Sequence, residues 1–128
     1  MKHKGLLFTN EGILLSESLK IRTITYKDIA YFITDRPYVV IGTNKNERIY
    51  IQISMSLIAK YVPSCFCICS QSAIINLFYV DAYEEHQQTF RVCLRNACIV
   101  KVSRRYHNSL RIQILLFKKT NEILVNES

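Results

Sequence analysis

Residues 92–110 read VCLRNACIVKVSRRYHNSL, and this stretch decides which kind of fold the chain adopts. Alternating apolar residues on both sides of Asn96 and Ala97 predict a β-hairpin over residues 90–102, with these two residues as its turn. Ala97 departs from the glycine that such a two-residue turn prefers. The second strand leads directly into Ser103, a residue type that caps helices. We therefore expect a strand pair followed at once by a helix.

The predicted helix begins with two cations. Arg104 and Arg105 occupy its first positions, where the partial positive charge of a helix start favours Asp or Glu. Each cation there costs roughly 0.3 to 1 kcal/mol unless an anion compensates it. The helix is predicted to end near residue 116, and its apolar stripe consists of Tyr106, Leu110, Ile114 and Phe117. An anionic ligand at the helix start would explain the two arginines.

The charge distribution supports the same conclusion. The chain has 17 basic and 10 acidic residues, a net charge of +7. No Asp or Glu occurs between residues 86 and 121, a span that contains Arg91, Arg95, Lys101, Arg104, Arg105, Arg111, Lys118 and Lys119. A polyanion is the partner class that this pattern favours. The alternative is a solvated basic face without a partner.

Upstream, the chain predicts mostly strands within one domain of 128 residues. A helix follows Ser54, which can cap it, and Pro63 stops it. Strands are predicted as a hairpin over residues 5–15 and as single strands over 19–24, 31–34, 38–42 and 48–53. The fold class is therefore mainly β, with one short middle helix and one C-terminal helix.

Five cysteines and an uncharged segment raise the questions of metal and membrane. Cys65, Cys67 and Cys69 would lie about 6.5 Å apart along a strand, too far to share one tetrahedral ion, so we expect no metal and thiols buried in a reducing cytoplasm. Residues 61–80 carry no charge, but Pro63 and Gln71 interrupt them. Buried strands are the better interpretation than a membrane helix.

Enzymatic chemistry has little support in the sequence. There are three histidines, no glycine-rich phosphate loop and no paired carboxylates at a useful spacing. Glu84 and Glu85 are adjacent, so on a strand they face opposite ways. We expect no catalysis, no cofactor and no small-molecule substrate.

Three segments in order resemble the LytTR DNA-binding domain, the output module of many bacterial response regulators. They are ITYKDIAYFITDRPYVVIGTNKNERIYIQISMSLIAKYVP, FCICSQSAIINLFYV and VCLRNACIVKVSRRYHNSL. The second matches the family pattern at Phe66, Ser72, Ile75 and Asn76, and the third matches the family's hairpin followed by Val-Ser-Arg-Arg-Tyr. The likeness covers about residues 20–115. It implies about ten short strands in small sheets and binding of duplex DNA through loops in successive major grooves.

The resemblance also implies roles for residues. Arg105 matches the family's base-reading arginine, and an arginine suits guanine because it donates two parallel hydrogen bonds. Arg104 beside it is a candidate for a phosphate. The first reading loop departs from the family, since Ile68, Ser70 and Gln71 stand where basic or polar residues are usual.

Weaker candidates complete the predicted site. Gln71 can still pair with adenine, and Ser70 and Ser72 can donate hydrogen bonds, although this loop can also be the plain end of a buried strand. The remaining candidates, mainly for phosphate, are Arg95, Asn96, Lys101 and His107.

The resemblance divides the chain into three parts. Residues 1–19 are a hairpin extension, residues 20–115 the domain, and residues 116–128 a tail that could pair with the hairpin of the same chain or of a partner. There is no room for a receiver domain or a membrane segment, so regulation through abundance, a partner or assembly is expected. A homodimer would suit direct repeats in DNA.

Two functions remain open from the sequence. The first is a free-standing bacterial transcription regulator in the cytoplasm that reads specific duplex DNA. The second is an interaction module that has lost base reading with the charge of its first loop and modulates a related regulator by protein contact.

Overall fold

The protein folds into eleven short strands and two α-helices over the residues described. In this computed structural model the backbone is described for residues 5–127 and the side chains for residues 5–119. The strands are β1 Gly5–Phe8, β2 Gly12–Glu17, β3 Lys20–Thr25, β4 Ile29–Asp35, β5 Tyr38–Thr43, β6 Arg48–Ile51, β7 Phe66–Ser70, β8 Ala73–Asn76, β9 Val80–His86, β10 Thr89–Leu94 and β11 Ile99–Val102. The helices are α1 Met55–Tyr61 and α2 Arg104–Glu127. The predicted mainly β class is confirmed.

The strands form three antiparallel sheets. The N-terminal sheet has the order β1-β2-β3, the central sheet β6-β5-β4-β8-β7, and the C-terminal sheet β11-β10-β9. Neighbouring strands are mostly joined by short turns, which is why antiparallel pairing dominates. The central sheet is covered on both sides, so its strands are apolar on both faces.

Two hydrophobic cores lie on opposite sides of the central sheet. One core packs the N-terminal sheet and α1 against the central sheet and includes Ile13, Leu15, Ile24, Phe32, Ile41, Ile58 and Ile74. The other packs the C-terminal sheet and α2 and includes Val40, Ile75, Val92, Val100, Leu110 and Ile114. The molecule therefore has three layers, with the central sheet in the middle.

The predicted start of α1 is confirmed in its capping interaction. The Ser54 hydroxyl accepts a hydrogen bond from the Leu57 N–H at 3.3 Å. This satisfies one of the amide groups that a helix start leaves without an intrahelical partner.

Helix α2 is longer than predicted. It continues from Arg104 to Glu127 rather than ending near residue 116, because residues 117–127 contain no Gly or Pro to stop it. The predicted pairing of the apolar tail residues 123–125 with the N-terminal hairpin as a strand is therefore wrong, since their backbone is helical.

The turn between β10 and β11 also differs from the prediction. The Leu94 N–H donates to the Cys98 carbonyl at 2.8 Å, and the Ala97 N–H donates to the Leu94 carbonyl at 3.0 Å. Three residues therefore form the loop, and only Ala97 among them has a positive φ, of 67°. This is the hairpin in which a left-handed residue follows a tight turn, not the predicted two-residue turn.

The uncharged segment forms strands, as predicted. β7 and β8 lie in it, and the side chains of Cys67 and Cys69 on β7 are buried in the second core. Among the described residues, no helix is long and apolar enough to cross a membrane.

Candidate nucleic-acid interface

The turn between β7 and β8 presents three neutral polar residues. The Ser70 hydroxyl accepts from the Ser72 N–H at 3.1 Å, which closes the turn. The Ser72 carbonyl accepts from the Thr34 N–H at 2.9 Å and fixes the turn to the end of β4. Gln71 and Ser72 are exposed. The turn is thus held through the Ser70 hydroxyl and the Ser72 carbonyl, while the side chains of Gln71 and Ser72 face solvent.

The start of α2 lies against the end of β7, beside this turn. The Ser103 N–H donates to the Cys69 carbonyl at 2.9 Å. This hydrogen bond joins segments that are far apart in the sequence, and it brings residues 70–72 and the two arginines to one edge of the molecule. We call residues 70–72 together with Arg104 and Arg105 the loop edge.

The predicted side-chain cap on α2 is wrong. The Ser103 hydroxyl is buried and has no hydrogen-bond partner among the described residues, whereas the Ser103 carbonyl accepts from the Tyr106 N–H at 3.1 Å. Because no cap and no acidic side chain serves the first turn of α2, its amide groups retain their partial positive charge.

Arg104 is positioned by a turn that the sequence did not identify as part of the site. Its Nη2 donates to Oε1 of Gln88 at 2.8 Å. Gln87 and Gln88 connect β9 to β10 and both have positive φ, 50° and 67°. Two such residues in succession define a type I′ hairpin turn, but glutamine is not the residue type that signals one. Gln88 is the site residue missed by the sequence.

Arg105 projects from the first turn of α2 and is exposed. Its guanidinium carbon lies 5.5 Å from the ring centroid of Tyr106, within range of a cation–π contact. Within the described part of the chain, neither Arg104 nor Arg105 forms an ion pair with an acidic side chain. Both cations are therefore available to an external anion.

His107 faces the C-terminal sheet. Its ring stacks on Phe90 with 3.9 Å between centroids and 4° between planes. Together with Gln88 and Arg104 it lines a shallow pocket beside the loop edge. The stack holds the histidine in one orientation next to Arg104.

The remaining predicted site residues lie elsewhere. Arg95 packs its guanidinium 5.2 Å from the Phe78 ring centroid, and Asn96 accepts from the Cys98 N–H at 3.2 Å, so both belong to the tip of the β10–β11 hairpin. Arg95 lines a pocket with Lys118, which is about 21 Å along α2 from Arg104 at 1.5 Å per residue. Lys101 on β11 lies opposite Arg91 on β10, and both are exposed on the C-terminal sheet.

A groove of about 400 Å³ opens next to the loop edge. It runs between α1 and the β7–β8 hairpin, and its lining includes Met55, Ile68, Gln71 and Tyr106. Ile68, one of the departures from the family pattern, lies in this groove and not on the tip of the turn. The basic or polar residue usual at this position in the family is therefore replaced by an apolar one on the side of the turn, within the groove.

The cysteines of β7 behave as buried apolar residues. Desolvation raises the pKa of Cys67 to about 11, with the neighbouring Cys65 adding to the shift, and it also raises the pKa of Cys69. Protonated thiols are poor nucleophiles and poor metal ligands. Within residues 5–119, no three His, Cys, Asp or Glu side chains are grouped as metal ligands would be.

Comparison with known proteins identifies the family and the fold. The model of the LytTr DNA-binding domain family matches residues 19–115. Among solved structures, the LytTr DNA-binding domain of a Bacillus cereus protein described as a DNA response regulator is similar, with a TM-score of 0.72. The two share 17% sequence identity, and the match covers 83% of this chain and 98% of that one. No curated protein sequence matches.

Proposed function

The chain belongs to the LytTr DNA-binding domain family, and from this premise we propose that it binds specific duplex DNA through the loop edge. One observation carries the proposal: the Ser103–Cys69 hydrogen bond sets two arginines without acidic partners beside a turn of exposed polar residues. Guanidinium groups and neutral polar side chains are what duplex DNA recognition needs, for phosphates and for base edges.

The two arginines take different parts. Arg105 is exposed, and no side chain among the described residues forms a hydrogen bond with it, so it can donate two parallel hydrogen bonds to O6 and N7 of a guanine. Arg104 is held by Gln88 and lies at the uncapped amide groups of α2, which favours a phosphate. Tyr106, beneath Arg105, restricts where its guanidinium can go.

The β7–β8 turn supplies neutral contacts. Gln71 can pair with the N6 and N7 positions of an adenine, and the Ser70 and Ser72 hydroxyls can donate to a base edge or a phosphate. Because the turn is fixed to β4, these side chains are presented on a rigid support.

Four residues outside the loop edge contribute less. His107, stacked on Phe90 in the same pocket as Arg104, can contact a phosphate there. Arg95, Asn96 and Lys101 contact phosphates, which adds affinity without sequence information.

The protein acts as a bacterial transcription regulator in the cytoplasm and occupies direct repeats, with a second copy adding specificity that a single small domain lacks. Its regulation works through abundance, partner binding or assembly.

The test is a selection from random duplex DNA at about 150 mM salt with purified protein, since affinity at that salt concentration reports on sequence preference. Wild type should enrich a motif. Arg105→Ala should lose or relax that motif at one position, a loss of roughly 1 to 3 kcal/mol of discrimination. Arg91→Ala is the matched control, because Arg91 is an exposed arginine paired with Glu84 away from the loop edge.

Two results would contradict the proposal. Enrichment of no motif by wild type would mean that base reading is lost and would favour the interaction module. An unchanged motif with Arg105→Ala would mean that another residue reads the bases.

A further inference from the structure

The outer face of the N-terminal sheet is uncharged in a protein of net charge +7. Strand register puts Gly5, Ser16 and Ile21 in one row across this face, and Leu7, Leu14 and Thr23 in the next. The charged residues of β2 and β3 alternate with these positions, so they point away from the outer face. We call these two rows the outer rows.

The outer rows also expose large apolar side chains. Leu7 is 59% and Ile21 is 77% exposed, and Leu19 in the adjoining turn is fully exposed. A solvent-facing side of an antiparallel sheet is ordinarily polar, often with lysines that prevent association. Contiguous apolar side chains on such a face mark an interaction surface.

The pattern of large and small residues fits a second copy of the same chain, and we propose that the N-terminal sheets of two copies pack face to face. A two-fold axis parallel to β2 between the sheets sets β1 of one copy over β3 of the other. Ile21 then lies over Gly5 of its counterpart, and Leu7 lies over Thr23. Leu14 meets Leu14 on the axis.

Ile21 and Leu7 thus each face a smaller residue, and Leu14 makes an apolar contact with its own counterpart, so the face is complementary to itself. The absence of charge disfavours a phosphate backbone as the occupant, because nucleic acid needs cations. It also means that no like charges meet when two copies pack. A contact between two α2 helices would instead bring Arg111 and Lys118 of both copies together.

The dimer is weak. Three strands about 4.8 Å apart and about 20 Å long cover roughly 300 Å² per copy, against about 800 Å² in a standard interface. Self-association is therefore expected only at high protein concentration, or where two copies are held close together.

The test is sedimentation velocity without DNA, over protein concentrations from about 10 µM to 1 mM, the range in which a weak dimer forms. Wild type should shift from monomer to dimer. Ile21→Lys should raise the dissociation constant at least about tenfold, because the lysine is buried against Gly5 of the other copy. Ile99→Lys is the matched control, since Ile99 is 59% exposed on the C-terminal sheet, and it should dimerise like wild type.

Several outcomes would overturn the inference. The first is a wild type that stays monomeric up to 1 mM, and the second is an Ile21→Lys variant that dimerises like wild type. The third comes from NMR spectra recorded over the same protein concentrations: amide chemical shifts that change with concentration at Ile112 and Leu115 of α2. Equal thermal unfolding of the two variants excludes misfolding as the cause of a difference. Binding to a single DNA site should be equal in wild type and Ile21→Lys, so failure of the dimer and failure of DNA binding are distinguished.

Discussion

Asn76 shows how one residue of the family pattern acts through structure and not through a ligand. Its side chain is buried, its Nδ2 donates to the Ile29 carbonyl at 2.9 Å, and its Oδ1 accepts from the Phe78 N–H at 3.0 Å. It thereby ties the end of β8 to the start of β4. A pattern match alone could not distinguish this role from DNA contact, because both uses call for a polar side chain.

Replacement of Asn76 by Ala should lower the free energy of unfolding by about 2 to 3 kcal/mol. The reason is that the buried Ile29 carbonyl and the partly buried Phe78 N–H each lose a hydrogen-bond partner. Chemical denaturation of both proteins measures the change. A loss below about 0.5 kcal/mol would show that backbone groups there find other partners.

The thiol of Cys67 makes stability depend on alkaline pH. Its pKa is raised from about 9 to about 11 by burial, so the folded protein keeps a proton that the unfolded chain releases. Stability from this group is complete below pH 9 and is lost as the pH rises from 9 towards 11. The free energy of unfolding should therefore fall less steeply across that interval for Cys67→Ala than for wild type. Equal slopes would contradict the burial of this thiol.

The β10–β11 hairpin marks the limit of sequence reasoning at the scale of one element. The strands follow from alternating apolar residues, which is a strong local signal. The turn does not, because Ala97 adopts a left-handed conformation that its side chain disfavours and only the packed sheets enforce. Helix α2 extends beyond its predicted end near residue 116 because its sequence contains no residue that stops a helix.

Replacement of Ala97 by Gly should raise the free energy of unfolding by up to about 1 kcal/mol. Glycine adopts a φ of 67° without the steric cost that alanine has there. The greater backbone freedom of glycine in the unfolded chain offsets only part of this gain. Thermal or chemical unfolding measures the gain. The same substitution at Ala82, on β9 in an extended strand, should destabilise the protein instead.

At the scale of the whole molecule, the sequence could predict the fold class and the family, because three motifs in order carry both. It could not predict that Gln88 holds Arg104, or that Arg95 and Asn96 lie away from the loop edge. These facts depend on which turns meet in three dimensions. Arg95 and Asn96, predicted from the sequence as site residues together with Arg104 and Arg105, therefore lie apart from them in the structure.

The net positive charge should make DNA binding strongly dependent on salt. Contacts to four or five phosphates predict a slope of about −3 to −5 when the logarithm of the association constant is plotted against that of the salt concentration. Arg104→Ala should make the slope shallower by about one, since it removes one phosphate contact. A titration series by fluorescence anisotropy measures both, and an unchanged slope would remove Arg104 from the phosphate contacts.

The central claim is that the β7–β8 turn and the start of α2 form one surface for DNA. Amide chemical shifts of the protein, recorded while a selected duplex is added, test it most directly. The predicted result is that the largest changes fall on residues 70–72, on Gln88 and on residues 103–107. Changes centred on Arg95 and Asn96, or on the N-terminal sheet, with residues 70–72 unaffected, would contradict it.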